Sequence, residues 1–105
     1  MNSEDLLIAR QLKSRINNIA DVVDFRVFGS RATGKAQQDS DMDVFIEVEF
    51  LTPTVKEEIH DICWEIGYNN SVVISPLIVA RAELEQSPLR SAPIISNINA
   101  EGLSV

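Results

Sequence analysis

The pattern of helical and strand signals along the 105 residues predicts an α/β (α+β) protein, a small sheet with helices packed on it. Three observations carry this. "DMDVFIEVEF" alternates between two faces, "SVVISPLIVA" is nearly all apolar and β-branched, and two long stretches repeat apolar residues at three- and four-residue spacing.

Residues 4 to 19 should form the first helix, with Leu6, Leu7, Leu12, Ile16 and Ile19 near one stripe. Asn2 or Ser3 can cap it, and Glu4 and Asp5 suit the positive end of its dipole. In "DFRVFGS", Phe25, Val27 and Gly29 alternate, which predicts a short strand ending at Gly29-Ser30. Residues 31 to 40 are small and polar and read as a helical turn or two, then a loop. In the next strand Asp41, Asp43, Phe45 and Glu47 share one face, and Met42, Val44, Ile46 and Val48 the other.

"LTPTVKEEIHDICWEIGYNN" opens on a Thr cap and Pro53, runs helically and stops at Gly67 or the Asn pair. "SVVISPLIVA" should be a buried strand, with Pro76 arguing for an edge or a bulge. An acidic turn, "RAELEQSPLRSAP", then leads to a short last helix, "IISNINAEG", with Gly102 as its stop. The order is α-β-(α)-β-α-β-α.

A net charge of −7 argues against sequence-independent nucleic-acid binding, which needs a basic face. It leaves room for a single nucleotide held with a metal ion, or for a basic protein partner. One cysteine, Cys63, allows no internal disulfide and fits a reducing cytoplasm. The N-terminus is acidic and has no long apolar run, so neither a signal peptide nor a membrane span is expected.

The chemistry concentrates in "VFGSRATGKAQQDSDMDVFIEV". A Gly-Ser turn after a buried strand lets backbone N–H groups and a hydroxyl approach a phosphate. Two carboxylates at i and i+2 of a strand lie roughly 6–7 Å apart on one face, which suits a shared Mg²⁺. Either piece alone is ordinary: a surface turn, or a solvated strand start. Together they describe phosphoryl or nucleotidyl transfer, the turn holding phosphates and the metal bridging them to the aspartates.

Gly29-Ser30, ten residues, Asp41, one residue, Asp43 resembles the signature of the DNA polymerase β-like nucleotidyltransferase superfamily. "GSRATGKAQQDSDMDVFIEV" is similar to its smallest branch, the minimal nucleotidyltransferase (MNT) domain. The resemblance implies one such domain over residues 1–105, with a small mixed sheet flanked by helices. It implies that Gly29 and Ser30 grip the β/γ-phosphates of ATP and that Asp41 and Asp43 hold Mg²⁺ as the catalytic pair. Arg31 would add a phosphate contact, or else face solvent at a helix start; Lys35 reads as a solvated loop residue.

Active superfamily members carry a third carboxylate on the next core strand. Here the matching position is Val73, and no Asp or Glu occurs between Glu65 and Glu83. Glu47 shares the aspartates' face but lies about 13 Å along the strand from Asp43. The resemblance further implies an antitoxin whose partner is a HEPN-domain toxin, neutralised by adenylylation of a toxin tyrosine. The missing acid keeps a binding-only antitoxin open. Transfer to a small molecule such as an aminoglycoside is expected to need an added acceptor-holding domain.

A second surface lies on the helix after Pro53. Val55, Ile59, Ile62, Cys63 and Ile66 form its apolar stripe, while His60, Trp64 and Tyr68 recur at i, i+4 and i+8 on nearly the opposite face. The two aromatics are candidates for a partner interface, in a hetero- or homo-oligomer, or are covered by the C-terminal segment. His60 lacks a neighbouring metal ligand, and Cys63 reads as a packed thiol.

Overall fold

Among the residues described by the computed structural model, 1–37 and 39–105, four strands form one mixed sheet. They are β1 (Val22–Phe28), β2 (Met42–Val48), β3 (Ile74–Ala80) and β4 (Leu103–Ser104), in the spatial order β3-β2-β1-β4. β1 pairs antiparallel with both β2 and β4, whereas β2 and β3 run parallel. The expected fold class is borne out. Gln38, inside the expected loop, lies outside the described residues.

β2 is the central strand because both its faces are apolar enough to be covered. Met42, Val44, Ile46 and Val48 are fully buried against α1 (Ser3–Asn17) and α3 (Pro53–Asn69). On the other face Phe45 is buried with Val79, Ile95 and Ile98, the last two from α5 (Pro93–Glu101). That second face is therefore core in its middle, and its polar residues Asp41, Asp43 and Glu47 are left towards its ends.

Local capping sets the helices. Asn2 Oδ1 accepts the Asp5 N–H at 2.8 Å at the start of α1, and Thr52 Oγ1 accepts the Val55 N–H at 3.1 Å at the start of α3. α1 ends at Asn17 rather than at residue 19, because the Ile19 and Ala20 N–H groups both turn back onto the Ile16 carbonyl at 3.0 Å. Pro76 sits on the edge strand, as expected. The bond from the Met42 N–H to the Val73 carbonyl (2.8 Å) sets the parallel ladder so that residue 76 turns its amide position outward, where the missing N–H breaks no pairing.

The C-terminal third departs from expectation. The acidic turn is instead α4 (Arg81–Gln86) followed by a 3-10 turn at Pro88–Ser91. Glu83 Oε1 accepts the Ala80 N–H at 3.1 Å, and Arg81 pairs with Glu85 one turn on at 2.8 Å, so the charges that suggested a loop hold a short helix. Gly102 ends α5 as expected, but in extended rather than left-handed backbone, and leads into the unexpected β4. Among the described residues no helix is long and apolar enough to cross a membrane.

Replacing Ile46 with Ala, at the centre of the sheet, should lower stability by about 2–5 kcal/mol in urea denaturation. The same change at Leu7, 66% exposed on α1, should stay within about 0.5 kcal/mol.

Candidate active site

The antiparallel register of β1 and β2 places Phe28 opposite Asp43, so the end of β1 and the start of β2 lie at one end of the sheet, between its two interior strands. The chain must turn away immediately after Phe28. Gly29 does this with φ +71° and ψ −155°, a region open essentially to glycine alone. A Cβ at this position would fall well inside contact distance of Asp43 Oδ2, so a side chain here would displace that carboxylate as well as strain the backbone.

Ser30 then begins α2 (Ser30–Thr33), a single turn closed by Gly34 at φ +78°. The Gly29 carbonyl accepts the Ala32 and Thr33 N–H groups at 3.1 and 3.2 Å. The leading amides of such a turn have no intrahelical partner. Gly29 and Ser30 thus stand together beside Asp43, with Asp41 two residues before it.

Asp43 is half-buried and Asp41 exposed. Burial, and secondarily the Asp41 charge, push the Asp43 carboxyl above its ordinary value. A hard divalent cation bridging the pair would relieve both effects, so the donor set fits Mg²⁺. Among the described residues no three His, Cys, Asp or Glu side chains cluster to hold a metal, which leaves the aspartates as a pair.

Arg31 neither faces solvent nor points freely into the turn. Its side chain is 10% exposed, and Nη1 donates to Asp5 Oδ1 of α1 at 2.7 Å. Nε and Nη2 donate to the Ser40 carbonyl at 2.9 and 2.6 Å. Ser40 immediately precedes Asp41, so Arg31 ties α1, α2 and the approach to the carboxylate pair into one unit. Asp5 is 4% exposed, and this partner 26 positions away explains how a carboxylate can be buried on α1. Lys35 is exposed.

The position expected to bear a third acid is also placed. Val73 lies just before β3, and continuing the ladder by one residue sets it opposite Asp41. Ser75 pairs in register with Asp43 and shares its face. Neither residue is a carboxylate. Sequence reasoning missed Ser75, because only the register shows that it neighbours Asp43. Glu47 lies towards the other end of β2, opposite Asp24, where burial and then the Asp24 charge raise its pKa against the opposing pull of Arg81.

On α3 the C-terminal segment does not cover the aromatics. Trp64 and Tyr68 are 70% and 73% exposed and stack with centroids 5.3 Å apart. His60 is exposed beside them, and Cys63 faces the core, where burial pushes its thiol up to about 12.

Comparison with known proteins gives the family and the fold. The family model for the nucleotidyltransferase domain matches residues 8–100. The chain belongs to that family. No curated protein matches it. Among solved structures, a toxin–antitoxin crystallised with AMP-PNP is 16% identical, with a TM-score of 0.60, over 90% of this chain and 69% of that one. A mutant MntA–HpeT toxin–antitoxin is 15% identical, with a TM-score of 0.61, over 99% and 72%. A protein from Sulfolobus solfataricus described as a nucleotidyltransferase is 12% identical, with a TM-score of 0.55, over 94% and 77%. At these identities the likeness is one of fold.

Two substitutions separate site from scaffold. With a raised folded pKa, Asp43 lowers stability as pH rises from its ordinary 3.8 through the raised value. Asp43→Asn should therefore raise the Tm of the metal-free protein at pH 7, and the gain should vanish in scans below pH 4. Arg31→Ala should instead cost about 3–5 kcal/mol by stranding the buried Asp5 carboxylate, as read by chemical denaturation.

Proposed function

We propose that this nucleotidyltransferase-family chain is an MNT-type antitoxin that transfers AMP from Mg-ATP to a hydroxyl, most simply a tyrosine, of a HEPN-type toxin in the cytoplasm. The observation that carries the reading is the contact of bare Gly29 backbone with the Asp43 carboxylate, with Ser30 and Asp41 beside it. Phosphate approach and carboxylate pair meet at one end of the two interior strands, which an ordinary surface turn has no reason to arrange. The structural likeness to toxin–antitoxin structures, one of them with AMP-PNP, supports the antitoxin role.

In this reading the Gly29-Ser30 turn holds the β- and γ-phosphates by backbone N–H groups and the Ser30 hydroxyl. Asp41 and Asp43 hold the metal, which when bound offsets the charge that builds at the α-phosphorus. The acceptor oxygen attacks the α-phosphorus, the bond from that phosphorus to the bridging oxygen of the leaving group breaks, and pyrophosphate departs. The acceptor proton passes to solvent or to a base on the partner, since Val73 just before β3 and Ser75 within it stand where a carboxylate would. Arg31 acts at one remove, holding the Ser40 carbonyl that leads into Asp41.

That same absence favours a second reading, a fold that neutralises its toxin by complex formation alone. Incubation with [α-³²P]ATP, Mg²⁺ and the toxin partner separates the two. Label should appear on the toxin and fall at least a hundredfold with Asp41→Ala and Asp43→Ala together, by loss of transition-state charge stabilisation. Protection of cells by the double variant, with no label on toxin exposed to the native chain, would establish the binding-only reading.

A further inference from the structure

Asp43 has unlike neighbours on its two sides. On β1 its register partner is Phe28, half-buried and packed against the cluster of Phe45, Val79, Ile95 and Ile98. On β3 its partner is Ser75, which is exposed. Residues in register across a parallel pair turn their side chains to the same face of the sheet. Burial agrees, because Ile74, the partner of Met42, is buried with it in the core on the opposite face.

The layer that covers the Asp43 face stops one row short of this pair. Along the same face of β3, Leu77 is half-buried and Val79 is buried, in the cluster that also holds Leu84 of α4 and Ile95 and Ile98 of α5. Asp41, Asp43, Val73 and Ser75 are left uncovered at the end of β2 and β3. Val73 has no polar side-chain atom. Ser75 is therefore the β3-side neighbour of the carboxylates that can hydrogen-bond through its side chain, with one donor and two acceptor sites.

The strand order gives this hydroxyl a direction. In an in-line displacement the attacking and leaving oxygens stand on opposite sides of the reacting phosphorus. The turn read as holding the leaving phosphates follows β1, and β3 lies on the other side of β2. The acceptor then meets the carboxylates from the β3 side, where the neighbouring strand runs about 4.8 Å away.

We infer that Ser75 is the acceptor-side contact of this site: its Oγ accepts the hydrogen bond of the incoming hydroxyl and aims that oxygen at the α-phosphorus. The inference rests on the nucleotidyl-transfer reading. Ser75 gains and loses no proton in the step. The acceptor oxygen bonds to phosphorus, the bond to the leaving oxygen breaks, and the acceptor proton goes to solvent or to a base on the partner. A neutral contact also adds no third negative charge beside Asp41 and Asp43.

Two measurements test this, one of transfer and one of placement. In labelling of a HEPN-type toxin from [α-³²P]ATP, Ser75→Ala should slow transfer about fivefold to tenfold, the loss of one hydrogen bond. Its affinity for Mg-ATP, by titration calorimetry, should be unchanged, and Ser75→Thr, which keeps the hydroxyl, should restore most of the rate. For placement, Ser75→Asp puts a third carboxylate beside the pair. It should tighten Mn²⁺ binding by about tenfold in the absence of nucleotide, whereas Ser96→Asp, exposed on α5, should not.

Equal transfer rates for Ser75→Ala and an active native chain would overturn the inference and leave the nucleotidyl-transfer reading standing. So would a loss of Mg-ATP affinity in Ser75→Ala, or no rescue by Ser75→Thr. Mn²⁺ binding no tighter in Ser75→Asp than in Ser96→Asp would refute the placement of residue 75 beside the pair. A native chain that labels no toxin refutes the transfer reading and this role with it.

Discussion

The fit of Asp43 against bare Gly29 backbone is the constraint on which the rest of the site depends. It exists because β1 and β2 pair antiparallel with Phe28 opposite Asp43, which brings a strand end and a strand start together at one end of the sheet. It survives because the residue after Phe28 has no side chain and adopts a backbone region closed to others. The geometry of this end of the sheet follows: the turn touches a carboxylate, and that carboxylate sits beside a second one. The result is a site that repels itself without a cation, as the upward push on Asp43 by burial and by Asp41 indicates.

Around this contact the core acts as a rigid mount. Four fully buried side chains on one face of β2 and Phe45 on the other fix the strand that bears Asp43 and directly follows Asp41. Arg31 adds a polar brace where the apolar core runs out, joining α1 through Asp5 to the carbonyl just before Asp41. A buried ion pair of this kind adds little net stability, but removing one partner is severe, so its role is better read as holding geometry.

Much of this was legible in the residues. The two-residue period of β2, the Thr52 cap and Pro53, and Pro76 as an edge marker each express local physics that the fold preserved. What was not legible depends on distant partners. Nothing near Arg31 announces Asp5, and nothing near Ser75 announces Asp43, because an ion pair and a parallel register join residues far apart in the chain. α4 has the composition of a turn, and its capping contact, Glu83 to the Ala80 N–H, shows only in the geometry. Two-residue β4 is too short to have a period at all.

The carboxylate pair and the glycine turn are claimed to act together as one metal-dependent nucleotide site. Isothermal titration of ATP into the purified chain, with Mg²⁺ and then with EDTA, tests this most directly, repeated with Asp43→Asn. Heat of binding should appear only with Mg²⁺ and be lost in the variant. Binding of equal strength in EDTA, or unchanged binding by Asp43→Asn, would contradict it.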